Sequence, residues 1–124
     1  MGSFASLELA RRGAKVVGID AFDPPHARGS HSGDTRVFRI AYAENPEYVP
    51  LAQRASVLWD RYGDEFGVKL LHRTGILNIG RAESVIVRGT LASAAAYGLA
   101  VETLDAEETR RRYPAFHLAA DQMA

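Results

Sequence analysis

The stretch 2-GSFASLELARRGAKVVGID-20 decides the fold of this chain. In residues 3–12 apolar side chains recur with a helical period, and Gly13 follows, which predicts a short amphipathic helix. The run 15-KVVGID-20 is rich in β-branched residues and ends on an acid, which at this length favours a buried strand. The stretch therefore predicts a helix, then a strand, with Asp20 at the strand's end.

A helix, a strand and an acid in this order are typical of the second half of a βαβ dinucleotide-binding unit. In that unit the acid accepts hydrogen bonds from the ribose hydroxyls of adenosine. Asp20 follows Gly2 by eighteen residues, and Gly2 takes the place of the last glycine of G-x-G-x-x-G. The first two glycines and the first strand are absent from the sequence. We therefore expect an α/β fold with a partial Rossmann-like (doubly wound) domain, and the alternative is an ordinary αβ unit with a solvated Asp20.

The composition is that of one globular domain. The 124 residues are 47% hydrophobic, which suffices to line a core. Fifteen Lys and Arg residues balance fifteen Asp and Glu residues, so the chain has no field that gathers nucleic acid or anionic lipid. No apolar run approaches the roughly 20 residues that span a bilayer, and no signal-peptide pattern is present. We expect a cytoplasmic protein with no nucleic-acid partner and no membrane partner.

Metal and thiol chemistry are not expected. The sequence has no cysteine, which excludes disulfides, thiolate metal sites and a Cys nucleophile within these residues. The spacing of His26, His72 and His117 does not suggest a metal site. We predict no metal site and ordinary structural roles for these three histidines.

A polar segment, 29-GSHSGDTRVFR-39, follows a loop that contains Pro24 and Pro25. Its glycines, hydroxyls and two arginines are too polar for a core element. The overlapping run 36-RVFRIAY-42 fits either a helix or a strand. On a helix Arg36 and Arg39 share a face, whereas on a strand they lie on opposite faces.

The remainder of the chain alternates helical and strand patterns. An apolar stripe from Tyr48 to Phe66 predicts a helix over residues 46–66 with that stripe in the core. Asp105 and Glu108 have the spacing of a capping box for a last helix, which Tyr113 and Pro114 end. Between these helices the patterns predict paired strands at 68–73 and 75–81, a helix at 82–98 ending at Gly98, and a strand at 99–104.

Residues 20–59 resemble the flavin-dependent amine oxidases of the monomeric sarcosine oxidase and N-methyltryptophan oxidase family. The resemblance rests on DAFDPPH, GS-x-x-GDTR-x-x-R, AY-x-E and PEYVPLA-x-R, in this order and without gaps. It implies that residues 1–45 are part of an FAD-binding Rossmann-like domain that lacks its first strand. It also implies that residues 46–124 lead into a truncated substrate domain, so that the chain is an N-terminal fragment.

The resemblance also implies roles for individual residues. Arg36 is expected beside the flavin ring and Arg39 on the substrate carboxylate, so both are predicted catalytic residues. A guanidinium suits both places, since it holds a carboxylate by two parallel hydrogen bonds and can stabilise an anionic reduced ring. Tyr42 and Glu44 are expected near the mouth of the site. The cofactor-binding residues implied for FAD are Gly2, Asp20, Ser30, His31, Thr35 and Arg36.

The sequence departs from the family pattern at Ser32. Family members generally have histidine there, and His31 is the only imidazole nearby. Serine cannot carry a proton at neutral pH as imidazole can, so tuning of the substrate's ionisation at this position is not expected. Ala43 and Asn45 also replace two glycines, which predicts a stiffer lid.

The resemblance implies FAD-dependent oxidation of secondary amino acids of the sarcosine or N-methyl amino acid type. A hydride leaves the carbon next to nitrogen and reduces the flavin, and oxygen reoxidises the flavin, so that the products are an imine and hydrogen peroxide. Two alternatives remain open from the sequence. The chain could be a catalytically inactive fragment of such an oxidase, or a non-enzymatic partner subunit with an exposed sheet edge.

Overall fold

The computed structural model of the chain describes residues 2–29, 33 and 36–124. The chain divides into two compact units, Met1–Val37 and Phe38–Ala124. This division reflects which residues contact one another. The predicted boundary after residue 45 separates an FAD-binding segment from the start of a substrate domain, and it stays a prediction.

The first unit contains one helix, α1, at Gly2–Arg11, which confirms the predicted helix. Gly13 ends it with φ +83°, a left-handed conformation that glycine adopts without a Cβ penalty. The amide of Ala14 donates to the Leu9 carbonyl at 3.1 Å and closes the last turn. No residue of α1 is buried, so its apolar positions are only partly covered.

The predicted strand at 15–20 is not formed. These residues are neither helix nor strand, and Val17 and Ile19 are 84% and 93% exposed. A strand exists only when its backbone pairs with a neighbour, and no described residue pairs with this run. A doubly wound sheet is therefore not seen among the described residues, which are rich in helix and contain one small sheet.

The first helical element of the second unit is a 3-10 helix, Pro46–Tyr48, which leads into α2, Val49–Phe66. The Asn45 side chain caps the 3-10 helix by accepting from the Glu47 amide at 2.9 Å. Gly67, at φ +65°, ends α2. The helix predicted over residues 46–66 is confirmed in place and length.

The predicted core stripe of α2 is partly wrong. Its buried residues are Val49, Ala52, Ser56, Tyr62 and Gly63. Three members of the predicted stripe are more than half exposed, namely Tyr48, Leu51 and Phe66. The buried face of α2 thus lies about one residue further along the chain than the predicted stripe and includes small residues. Small residues allow the neighbouring segments to approach the helix closely.

Helices α3, Val85–Tyr97, and α4, Ala106–Arg112, lie where they were predicted. Gly98 ends α3 at φ +61°, as expected. Asp105 accepts from the Glu108 amide at 2.8 Å, which confirms one half of the capping box. The Glu108 carboxylate instead bonds Arg111 and Arg112.

The sheet differs from the predicted hairpin. Strand β1, Gly80–Arg81, pairs antiparallel with β2, Gln122–Met123, a segment for which the sequence predicted no element. Leu104 and Ala124 then exchange backbone hydrogen bonds of 2.7 and 2.9 Å. Residues 68–79 and 99–103 form no strand, so the predicted strands at 68–73, 75–81 and 99–104 are wrong except at the paired residues.

The core lies in the second unit. Its buried apolar residues are Ala43, Val49, Ala52, Tyr62, Val87, Ala94, Leu104 and Leu118. None of the helices within the described residues is both long enough and apolar enough to cross a membrane. The cytoplasmic location stays a prediction.

Candidate functional site

Asp20 heads a loop that is built around its carboxylate. The Oδ1 atom accepts from the Phe22 amide at 3.0 Å, an Asx-type turn, and lies 3.1 Å from His26 Nε2. The Phe22 amide and then the His26 hydrogen bond hold the pKa of Asp20 below its ordinary value, because both donate to the charged form. The Asp20 side chain is 50% exposed, so one part of the carboxylate is fixed and another faces solvent.

Among the described residues, three neighbours contact His26. Its Nδ1 faces the Arg28 amide at 3.2 Å and must accept, so in the neutral ring Nε2 carries the hydrogen and donates to Asp20. Its ring meets the Phe22 ring edge-on, with centroids 5.3 Å apart, and Phe22 is covered by the Arg28 guanidinium at 4.4 Å. The ordinary structural role predicted for His26 missed these contacts. The one available signal was its position in DAFDPPH, six residues after Asp20.

Most of the polar segment after this loop lies outside the described residues. This holds for Ser30, His31, Ser32 and Thr35, so their predicted roles stay predictions. Gly33 is described and has φ +126°, and a Cβ on it would lie 2.8 Å from Arg36 Nη1. The backbone angle therefore favours glycine here, and the guanidinium end of the Arg36 side chain lies beside it.

Arg36 and Arg39 belong to different units, Met1–Val37 and Phe38–Ala124. The residues between them form neither helix nor strand, so neither alternative for 36-RVFRIAY-42 is found. Arg36 and Arg39 therefore neither share a helix face nor lie on opposite faces of a strand.

Arg39 lies in a cluster with two other predicted residues. Its Nη2 is 3.5 Å from Glu44 Oε1, and its guanidinium carbon lies 5.3 Å from the centroid of the Tyr42 ring. Tyr42 in turn contacts Tyr48, with ring centroids 5.5 Å apart. The Arg39 side chain is 34% exposed and its contact with Glu44 is long, so the guanidinium keeps donors for a further anion.

Helix α3 fixes the loop that carries this cluster. Ser93, which is fully buried, donates its hydroxyl to the Tyr42 carbonyl in a short hydrogen bond. A Cβ on Gly89 would overlap the backbone of Ala43, whose Cα would lie 2.7 Å away. Gly89 and Ser93 were missed by sequence reasoning, although a glycine inside a predicted helix was a signal of close approach.

The described residues of the second unit line at least two cavities. The larger of these two, about 590 Å³, is lined by Arg39 and Thr90 and by residues of the segments 71–78 and 99–104, His72 among them. The smaller, about 280 Å³, is lined by Phe38, Tyr42, Tyr48, Leu51, Ala52 and Ala55. Arg39 and Tyr42 thus each contribute to a concave surface, which is where ligand groups bind.

Among the described residues, no group of three or more His, Cys, Asp or Glu side chains is placed to hold a metal ion. The carboxylates of the two clusters instead pair with a histidine or an arginine. The chemistry these residues offer is hydrogen bonding to hydroxyls at Asp20 and anion binding at Arg39.

Comparison with known proteins identifies one family. The family described as FAD dependent oxidoreductase (DAO) matches residues 1–122. The chain is 44% identical over 115 residues to monomeric sarcosine oxidase of Bacillus sp. (strain B-0618), an alignment that covers 92% of this chain and 30% of that protein. It is 39% identical over 124 residues to N-methyl-L-tryptophan oxidase of Yersinia pestis (strain Pestoides F), covering 100% of this chain and 33% of the relative. The chain thus spans about a third of the length of the curated relatives it matches.

Proposed function

Because the chain belongs to the FAD dependent oxidoreductase family, whose cofactor is FAD, we propose that it carries part of the site of an amino acid oxidase. The substrate class is a secondary amino acid of the sarcosine or N-methyl amino acid type, since the relatives are named for such substrates. The observation that carries the proposal is the Asp20 carboxylate, held at Oδ1 by its own loop and half exposed.

The described residues fit FAD at its adenosine end. A carboxylate oxygen with open acceptor sites suits the two ribose hydroxyls, and Asp20 is the residue that the βαβ pattern places there. Gly2 begins α1, where the last glycine of the fingerprint would lie, and nothing lies within 4 Å of where its Cβ would be. We propose Gly2, Asp20, Ser30, His31, Thr35 and Arg36 as the FAD-binding residues of this chain.

Arg39 is proposed to bind the carboxylate of the substrate. Its guanidinium is permanently charged and its two terminal nitrogens match the two oxygens of a carboxylate. Tyr42 covers one side of the guanidinium, while Glu44 stands at the limit of an ion pair. A substrate carboxylate that binds by two short hydrogen bonds would therefore outcompete Glu44.

Arg36 is proposed to supply fixed positive charge. When bound, FAD would supply the two-electron oxidation of the carbon–nitrogen bond to an imine, and dioxygen would take up the two electrons and two protons to give hydrogen peroxide. The chain's own part would be electrostatic: the Arg36 guanidinium lies beside Gly33, and its fixed positive charge favours negative charge nearby.

The first test of the proposal is FAD binding by the purified chain. We expect saturable quenching of flavin fluorescence, and we expect Asp20→Asn to weaken binding about 10-fold or more because a charged acceptor is lost. Glu83→Gln is the matched control, since Glu83 is an exposed carboxylate of the second unit without a hydrogen bond to a described residue. Equal affinity of Asp20→Asn and the parent chain would refute the role of Asp20.

A second candidate function is binding of FAD without turnover, as an inactive chain or a partner subunit. It is favoured by the exposure of Val17 and Ile19, β-branched residues that a complete sheet would bury. Peroxide release in the presence of FAD and sarcosine or N-methyl-L-tryptophan separates the two candidates. FAD binding with no peroxide from either amine would favour the second.

A further inference from the structure

In the loop from Asp20 to Arg28, the side chain of His26 contacts the Asp20 carboxylate. The Phe22 amide and His26 Nε2 both reach the same oxygen of the Asp20 carboxylate, Oδ1, and the Ala21 amide makes a smaller contribution to the carboxylate. From the described residues, no hydrogen bond of 3.5 Å or less reaches Oδ2. We propose that His26 is a positioning residue, which orients the Asp20 carboxylate so that Oδ2 receives the ribose hydroxyls of FAD. This inference rests on the proposed function of Asp20.

The direction of the hydrogen bond follows from the backbone. The Arg28 amide is a donor 3.2 Å from His26 Nδ1, so that nitrogen must be the acceptor. In the neutral imidazole the single hydrogen then lies on Nε2, the nitrogen that faces Asp20. The loop therefore selects the His26 tautomer that can donate to the Asp20 carboxylate. In many binding sites, residues that do not touch the ligand orient the side chain that does in this way.

The ring of His26 cannot easily turn away from Asp20. Its side chain is only 17% exposed, compared with 50% for Asp20. The Phe22 ring packs edge-on against it, and the Arg28 guanidinium covers the Phe22 ring. The rigid member of the pair is thus the histidine, and the exposed member is the carboxylate that it holds.

The geometric consequence concerns rotation of the carboxylate. With the Phe22 amide alone, one hydrogen bond fixes one oxygen and the carboxylate plane can still turn. A second donor on that oxygen, from a ring that is itself packed, restricts this rotation and keeps Oδ2 on the outer side. Ribose binding then loses less side-chain entropy, because less of the orientation remains to be ordered when the ligand arrives.

The test is a double-mutant cycle with FAD as the probe, measured by quenching of flavin fluorescence. We expect His26→Ala to weaken FAD binding about 3- to 10-fold, and His26→Gln, which can still donate to Asp20, to restore most of that loss. In the Asp20→Asn background His26→Ala should change the affinity less than about 2-fold, since its effect passes through Asp20. His117→Ala, an exposed histidine of the second unit, is the matched control and should leave the affinity unchanged.

The outcomes separate the inference from the function on which it rests. If Asp20→Asn leaves FAD affinity unchanged, the proposed function of Asp20 fails and the inference fails with it. If Asp20→Asn weakens binding but His26→Ala does not, only the inference fails. An equal loss from His26→Ala in both backgrounds would also overturn it, because His26 would then act on the fold and not on Asp20.

A readout without nucleotide keeps the inference falsifiable if His26→Ala perturbs the fold. The midpoint of Asp20 titration is followed by carbon NMR of its carboxyl group in the parent chain, His26→Ala and His26→Gln. Loss of the His26 donor should raise the pKa of Asp20, and His26→Gln should bring it back toward the value in the parent chain. Identical midpoints in all three chains would show that His26 does not hold the carboxylate.

Discussion

Each of the two units is stabilised internally by a different kind of interaction. Of the residues that the structure describes, every buried apolar side chain lies in the second unit, Phe38–Ala124, and α2 and α3 contribute several of them. In the described part of the first unit, Met1–Val37, no side chain is buried, and the loop after Asp20 is held by hydrogen bonds and ring contacts. The proposed carboxylate-binding arginine thus stands on a packed scaffold, whereas the proposed ribose-binding acid stands on a polar loop.

The largest expected difference between the units comes from a pair of glycine substitutions. Gly89→Ala would place a Cβ into the backbone of Ala43, whereas Gly18→Ala meets nothing within 4 Å. We expect Gly89→Ala to lower the free energy of unfolding by about 3 kcal/mol, because overlap with backbone cannot be relieved by a rotamer change. Gly18→Ala should change it by less than about 0.5 kcal/mol. Urea unfolding followed by Trp59 fluorescence measures both, and equal effects would contradict the described packing.

The next pair compares one substitution in both units. Val49 is fully buried and Val17 is 84% exposed. Val49→Ala should cost about 2 kcal/mol of unfolding free energy, from lost burial and the cavity left behind. Val17→Ala should cost less than about 0.5 kcal/mol. A large loss at Val17 would mean that the run 15–20 is packed in solution, and the contrast between the units would then be wrong.

A third prediction tests the arginine that the packed scaffold carries. Arg39→Lys keeps the charge but loses the two-pronged geometry, so we expect about 10-fold weaker binding of sarcosine, roughly 1.4 kcal/mol. Isothermal titration with FAD present measures this affinity. Arg54→Lys is the control, because Arg54 is exposed on α2. Similar affinities for Arg39→Lys and Arg54→Lys would remove Arg39 from the proposed site while leaving the FAD-binding role of Asp20 intact.

The fold was predictable where the signal is local. Helix periodicity placed α2, and periodicity together with Gly98 and Asp105 placed α3 and α4, since caps act within one turn. Strands failed because a ladder needs a partner far along the chain. The run 15–20 finds none among the described residues, and β1 pairs with Gln122–Met123, which has no strand pattern of its own.

The site was predictable to a similar degree. The resemblance named Arg39, Tyr42 and Glu44, and the structure brings these three together. It did not reveal the close approach at Gly89 or the contact between His26 and Asp20, because the sequence does not identify the partner in either contact. Short motifs therefore predicted the groups that are proposed to meet a ligand, and the structure was needed to find the residues that contact them.

The smallest expected effect concerns a carboxylate of the second unit that is held, like Asp20, by polar contacts alone. Bonds from Arg111 and then Arg112 lower the pKa of Glu108 from its ordinary 4.5 to about 2. A depressed pKa in the folded chain stabilises it above the ordinary pKa, and this contribution is lost as the pH falls toward about 2. Because Glu108 is partly exposed and its partners Arg111 and Arg112 are 70% and 36% exposed, solvent screens these ion pairs, and we expect only a modest loss of helix α4 and of unfolding free energy across that window. Glu108→Gln should flatten this pH dependence and Glu107→Gln, its neighbour in the same turn, should not. If both variants keep the pH dependence of the parent chain, the arginine contacts of Glu108 do not persist in solution. The comparison of Glu108 with Asp20, as carboxylates held by polar contacts, would then be wrong.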